Sequence, residues 1–350
     1  MHLKKFLVIC LVLLLSVSLL AGCGQKAQQP QQSQSNSQPS GSNQSGSQDK
    51  IIIKLGDVLA EDHPHTQAYH FFAKRMSELT NGKVEVQVFP NSQLGNQRDM
   101  VEGMQMGTLQ MGKSMMTVLS GFLPEVQVFD LPYIFRDRDH FYKVLDGPIG
   151  QSFLHEKLPK IGLIGVALFD AGVRSVYNSK RPIKTLDDMK GLKLRVPESP
   201  IYIDMMFAFG ATGTPMAVGE MYTALQTHVI DGAENAPIFY NSQKHYEVSK
   251  YFSYTNHIMT PDVLLMSKKF YDTLPKDVQE AVLKAGLEAQ QYERKLWQDL
   301  ENKTIEELKA KGVEFNEVDT TPFKEAAKKV WEKYQDKLGK DLIQQIVDTK

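Results

Sequence analysis

Cysteine is nearly missing from this chain. Of its 350 residues only Cys10 and Cys23 carry a thiol, and both precede the first segment patterned for a folded core. That core therefore has no disulfide, no thiol nucleophile and no cysteine zinc cluster, and must be held by packing alone. Also missing are a GxSxG turn, a glycine-rich phosphate loop, HExxH and CxxC. Without them nothing points to covalent catalysis, nucleotide chemistry or a metalloenzyme. His63-Pro64-His65 lacks zinc-site spacing, and no cofactor is expected. Charge of one sign is lacking too: 40 basic against 41 acidic residues leave a formal net charge of -1, which argues against nucleic acid as a partner. Any preference for an anion must then be built locally from a few placed residues. Acidic residues are abundant, yet their spacing singles out no acid–base pair. The chain reads as a binding protein rather than an enzyme.

The apolar run Phe6 to Leu20 is too short for a comfortable membrane span. Preceded by Lys4 and Lys5 and followed by small residues, it reads as an export signal over residues 1–22. Leu20-Ala21-Gly22-Cys23 resembles the bacterial lipobox, which implies that Cys23 is acylated and becomes the mature N-terminus. The other reading is an ordinary signal with an incidental cysteine. Residues 23–50 continue as a Gln- and Ser-rich stretch with almost nothing apolar to bury, expected to be a disordered tether. Such a tether would let an anchored domain reach a membrane partner.

From Ile51 onward the chain has enough apolar residues, 42% overall, to bury a sizeable core in two domains. IIIKLGDVL reads as a buried strand, HPHTQAYHFFAKRMSELTNG as an amphipathic helix closed by Gly82, and KVEVQVF as an alternating strand. A loop at Asn91 to Asp99, a helix through Met106 and an apolar segment from Leu109 to Met116 follow. This β-α-β-α-β order predicts an α/β fold with a mostly parallel sheet, whose ligand sits beyond the carboxyl ends of the strands. The loops after Leu55, Phe89 and Met111 are where to look. A helical stretch Arg138 to Leu158, interrupted at Gly147-Pro148, leads to the apolar strand IGLIGVALFD, and Asp170-Ala171-Gly172 is expected to turn the chain toward the second domain. Strands over Tyr251 to His257 and Asp262 to Ser267, a long amphipathic helix from Asp277 toward Leu308, and further helices over Glu314 to Lys350 complete the reading.

The most informative stretch is Gly191 to Pro237. A short strand, Leu192 to Val196, carries Arg195 between apolar neighbours and is ended by Pro197. A guanidinium held on such an element can give two parallel hydrogen bonds to a carboxylate. After a helical turn at Gly219 to Gln226, HVIDGAEN ends a second strand on Asn235, an amide that both donates and accepts. The two residues describe a site for a small, oxygen-rich anion.

LRVPES, GATGTPMAVGEMYTALQTHVIDGAEN and VFPNSQLGNQRDMVEGMQMGTLQMG, in that family's order, resemble the solute-binding subunits of tripartite ATP-independent periplasmic (TRAP) transporters, the DctP family. The similarity runs from about Ile51 to beyond Val282. It implies a two-lobe periplasmic-binding-protein-like fold with a hinge and a long helix bridging the domains. The lobes are expected at 51–170 plus about 261–300, and at 171–260 plus about 301–350. The resemblance also implies a monomer anchored outside the cytoplasm, facing a periplasm or the exterior, that closes on a small organic acid and docks on membrane permease subunits. It makes Arg174 a second basic contact beside Arg195, the alternative for each arginine being a salt bridge.

Gln97 and Arg98 match positions that face ligand in relatives, Gln97 standing where some carry an acid. His63 and His65, at a helix start where exposed amides favour anions, either touch the ligand or cap the helix. Met216 and Tyr240 are either core residues or cleft walls, and Asp170 either orients Arg174 or takes a sugar hydroxyl. FDAGVRSVYN and the polar first-lobe candidates look most like members that bind sugar acids such as uronates. A C4-dicarboxylate or keto acid is the alternative, with Arg98 as a second cation. A sensor module presenting ligand to a membrane kinase would use the same binding chemistry.

Overall fold

A computed structural model of the chain describes residues 50–350, so the export signal, Cys23 and nearly all of the tether lie outside the described residues. Strand β1 (Ile51–Gly56) leads to α1 (Pro64–Leu79), β2 (Val84–Phe89), α2 (Gln97–Met106) and β3 (Met111–Met115). The boundaries follow local chemistry. His63 caps α1 by accepting the His65 N–H on Nδ1 at 3.1 Å, with Pro64 in the first turn, where its missing N–H costs nothing. Asn96 and Asp99 form a reciprocal capping box on α2, both bonds 3.0 Å, and Gly107 closes that helix in the left-handed region. Helices α3 (Arg138–Asp146) and α4 (Pro148–Ser152) break at Gly147 as expected.

Next come β4 (Leu163–Asn178), β5 (Lys193–Val196), α5 (Pro200–Ala208), β6 (Thr212–Pro215), α6 (Met221–Gln226), β7 (Gly232–Asn235), α7 (Pro237–Ser242) and β8 (Tyr251–Ser267). The chain ends with α8 (Lys268–Tyr271), α9 (Lys276–Ala310), β9 (Glu314–Glu317), α10 (Thr321–Leu338) and α11 (Lys340–Asp348).

The nine strands of the described residues join one sheet in the order β2-β1-β3-β8-β4-β7-β5-β6, with β9 beside β8. The sheet is mixed rather than mostly parallel. Each flank is parallel, β1 with β2 and β3, and β5 with β6 and β7. The centre is antiparallel because β4 and β8 are long strands that pair with each other and run through both lobes. Asp170-Ala171-Gly172 does not turn the chain. The register to β8 slips between Asp170 and Val173, where Gly172 takes φ +75°, and β4 bends without ending. Likewise the two strands expected on either side of Pro261 are one, since both halves keep β4 as partner.

The bridging helix is α9, with 35 residues and a length of about 52 Å at 1.5 Å per residue. Its buried face, Val278, Val282, Ala285, Ala289, Glu293 and Trp297, recurs every three or four residues and packs on α1, β4 and α7. Gly286 permits the closest approach: a Cβ there would stand 2.7 Å from the Val166 carbonyl oxygen. The fold is a two-lobe α/β architecture, with α1 and α2 on the β1-β3 flank and α5 and α6 on the β5-β7 flank.

Candidate functional site

The carboxyl ends of β1 and β3 and the starts of α1 and α2 face the ends of β5 and β7 across a narrow cavity. One flank contributes His63, His65, Gln97, Lys113 and Met115, and the other Arg195 and Asn235. The long elements supply Arg174, Asp262 and Trp297. An adjoining cavity shares Gln97, Met115, Arg195 and Val218 with it.

Arg195, on β5, is 3% exposed. Its Nε donates to the Met216 carbonyl at 2.8 Å, which fixes the guanidinium plane and leaves its terminal nitrogens to a ligand. Among the described residues it has no carboxylate partner. Burial pulls its pKa down to about 10, with Arg174 adding to the effect and Glu234 opposing it. An arginine so destabilised as a cation gains from a bound anion.

Arg174, two strands away on β4, is differently placed. Its Nε and Nη2 donate to the Glu234 carboxylate at 2.6 and 2.7 Å, and the Tyr202 ring lies 5.7 Å away. Burial would lower its pKa, but the Glu234 charge more than offsets this and raises it. One edge of this guanidinium is therefore occupied, which leaves mainly Nη1 for a ligand. Glu234 also lies 3.3 Å from His257 Nε2.

The histidines divide their roles. His63 is buried, and its pKa is lowered well below the ordinary value by burial and by the charges of His65 and Lys113. It is neutral, and since Nδ1 accepts the cap bond its proton sits on Nε2. His65 instead donates from Nε2 to the Asp170 carbonyl at 2.8 Å, while Nδ1 is 3.2 Å from Asp262 Oδ2 and Nε2 is 3.4 Å from Glu293 Oε1. Burial opposes its charge, but the two carboxylates outweigh that and raise its pKa to about 10. It is an imidazolium.

The amides are oriented in a common sense. Gln97 Oε1 accepts the Met115 N–H at 2.5 Å and Asn235 Oδ1 accepts the Ala236 N–H at 2.8 Å. Their NH₂ groups are left as donors, so the wall is rich in N–H groups and poor in free acceptors.

Four sequence candidates do not reach the cavity. Arg98 projects from α2 to the surface, 3.8 Å from Glu102 and 5.4 Å from the Phe122 ring. One residue along a helix is a turn of about 100°, which separates it from buried Gln97. Tyr240 is core, its hydroxyl on the Ser249 carbonyl and its ring 4.7 Å from Tyr177, while its neighbour Phe239 lines the cavity. Met216 holds Arg195 through its backbone and lines only the adjoining cavity. Asp170 neither orients Arg174 nor faces the cavity: the bulge turns its carboxylate to Tyr142 at 2.6 Å, Arg138 at 3.0 Å and the Gly172 N–H at 2.7 Å.

Lys113, Asp262, Glu234, Glu293 and Trp297 were not singled out from the sequence. Lys113 Nζ lies 2.5 Å from Asp262 Oδ2, both almost fully buried. The available signal was a lone charge inside an apolar strand, as in QMGKSMM and TPDVLLM.

The family model for bacterial extracellular solute-binding proteins, family 7 (DctP), matches residues 55–338. A TRAP periplasmic solute-binding protein from Bradyrhizobium sp. btai1 b, solved with α/β-D-galacturonate, is 40% identical over 85% of this chain and 100% of its own, with a TM-score of 0.82. Another from Pseudomonas putida F1, with bound D-glucuronate, is 37% identical over 86% of this chain and 98% of its own, with a TM-score of 0.83. The 2,3-diketo-L-gulonate-binding periplasmic protein YiaO of Escherichia coli strain K12 is 36% identical over 75% of this chain and 81% of that relative. Placed on that background, the chain belongs to the DctP family and is a solute-binding protein of the TRAP transporter type, a binding component and not an enzyme.

Proposed function

We propose that the cavity takes a sugar acid with a single carboxylate, a uronate or a closely related hexonate, and that Arg195 grips the carboxylate with its two terminal nitrogens. The observation that carries this reading is the charge balance of the wall. Arg174 is matched by Glu234, Lys113 by Asp262, and His65 sits between Asp262 and Glu293. Arg195 alone among the cavity cations lacks an anionic partner among the described residues, so the site has room for one negative charge. A dicarboxylate would need a second free cation, and Arg98 faces away.

The N–H groups of Gln97, Asn235 and His63 then serve as donors to hydroxyl and ring oxygens. The ligands of the related proteins, galacturonate, glucuronate and a diketogulonate, fit the same pattern of one carboxylate and several oxygens. Ligand held by β5 and β7 recruits the first-lobe groups, and the closed form gains contacts the open form lacks. That form delivers its cargo to the membrane permease.

Isothermal titration and thermal shift against D-galacturonate, D-glucuronate, an aldonate, C4-dicarboxylates, keto acids and amino acids test the reading. A ligand at about 100 times its dissociation constant stabilises by about 2.7 kcal/mol. Saturable binding of a dicarboxylate with no response to any sugar acid would sink it. Acylation of Cys23, with the stretch up to Lys50 as tether, belongs to the same proposal; a Cys23→Ser chain that stays in the membrane fraction speaks against it.

A further inference from the structure

Among the described residues three buried polar atoms of cavity-lining residues have no hydrogen-bond partner: His65 Nδ1, which keeps an ion-pair contact to Asp262 Oδ2 at 3.2 Å, and, with no such contact, the indole Nε1 of Trp297 and the carboxylate Oδ1 of Asp262. Trp297 and Asp262 are 1% and 2% exposed, so water does not readily satisfy them. Each is held firmly. The Trp297 ring centroid lies 5.7 Å from that of His63 and 5.5 Å from that of His65, and Gly172 lets the β4 backbone close against the indole. The second tryptophan behaves otherwise: Trp331 Nε1 donates to the Pro132 carbonyl at 2.9 Å. The other oxygen of Asp262, Oδ2, is engaged by Lys113 at 2.5 Å and by His65 Nδ1 at 3.2 Å, which aims the carboxylate and leaves Oδ1 spare.

The residues shared with the adjoining cavity, Gln97, Met115, Arg195 and Val218, mark one end of the site. Trp297 and Asp262 are not among them; they flank His65. A spare donor and a spare acceptor on one patch of wall match the bonding needs of a hydroxyl, which both accepts and donates.

We propose that Trp297 and Asp262 form a hydroxyl-reading pair away from the Arg195 end, the indole N–H donating to a ligand hydroxyl oxygen and Asp262 Oδ1 accepting that hydroxyl's hydrogen. This deepens the sugar-acid reading and rests on it. A deoxy position would leave both atoms stranded. A keto oxygen would accept from the indole but offer Asp262 nothing, and a second carboxylate would meet the Asp262 charge. The pair thus selects polyhydroxylated acids by penalising their near relatives.

The test is ¹H–¹⁵N NMR of the indole N–H groups together with calorimetry. The chain has two tryptophans, and Trp297→Phe assigns the cross-peaks while keeping a ring in the cavity. On saturation with the tighter-binding of D-galacturonate and D-glucuronate, the Trp297 N–H resonance should move downfield and that of Trp331 should stay. Trp297→Phe should weaken the uronate about three- to tenfold, the usual scale for one neutral hydrogen bond, and narrow the preference over a monodeoxy analogue, while still unfolding cooperatively in urea. A Trp297 resonance that stays put at saturation, or a variant that binds within twofold of wild type, overturns the pair and leaves the sugar-acid reading standing. If the unaltered protein binds neither uronate, the reading beneath falls and the pair falls with it.

Discussion

Arg174 and Glu234 face each other on adjacent strands β4 and β7, Nε to Oε2 at 2.6 Å and Nη2 to Oε1 at 2.7 Å, with both side chains at most 1% exposed. Burial alone would raise the Glu234 pKa, but Arg174 and His257 more than reverse it. An ion pair so enclosed contributes little net stability, yet removing one partner strands the other charge. Glu234→Gln should therefore cost about 3–5 kcal/mol in urea denaturation, and the double variant Arg174→Met/Glu234→Leu should recover much of it. A loss under about 1 kcal/mol for the single variant would mean that Arg174 is neutralised by something else.

His65 gives the protein a pH signature. Its folded pKa of about 10 stands above the ordinary 6.5, with burial opposing and Asp262 and Glu293 prevailing; Asp57, Lys113 and His63 also face this cluster. A raised histidine pKa stabilises the fold fully below 6.5, and the benefit drains away as pH climbs through about 10. The stability difference between wild type and His65→Asn should thus be greatest near pH 6 and shrink steadily toward pH 10. A difference that is flat across that window would show that His65 is not charged in the folded protein.

Gly172 is needed for its backbone and for its bareness. It sits at φ +75°, and a Cβ there would fall 2.6 Å from the Ala236 Cβ and 2.7 Å from Trp297 Cζ2. Gly172→Ala should lose at least about 1–2 kcal/mol from the left-handed backbone alone, and weaken ligand binding by displacing Trp297. Unchanged stability and affinity would show that β4 has slack at the bend.

How much of this was legible beforehand depended on distance along the chain. The helix start at His63, the strand carrying Arg195 and the strand ending on Asn235 are local patterns, and each stands where the sequence indicates, whereas α2 begins at Gln97, inside the loop expected to run to Asp99. The central pairing of β4 with β8 joins segments some ninety residues apart, so Asp170-Ala171-Gly172, read locally, had the composition of a turn. The same remoteness hid the ion pair at the heart of the cavity. Lys113 and Asp262 meet only because β3 lies antiparallel to β8, and Trp297 joins them from a helix whose period marks it simply as buried. Gln97 and Arg98 look alike as candidates in sequence; the helical turn between them decides that only Gln97 lines the cavity.

Arg195, the one cavity cation without an anionic partner among the described residues, is proposed to hold the ligand's single carboxylate. The most direct test is isothermal titration of the best-binding sugar acid into wild type, Arg195→Ala and, as an outward-facing control, Arg98→Ala. Losing one partner of a buried, hydrogen-bonded charge pair costs about 2–5 kcal/mol, so Arg195→Ala should bind about 30-fold or more weakly while Arg98→Ala binds as wild type. If Arg195→Ala keeps its affinity to within about threefold while remaining folded, less than about 0.7 kcal/mol rests on that arginine, and the carboxylate is held elsewhere.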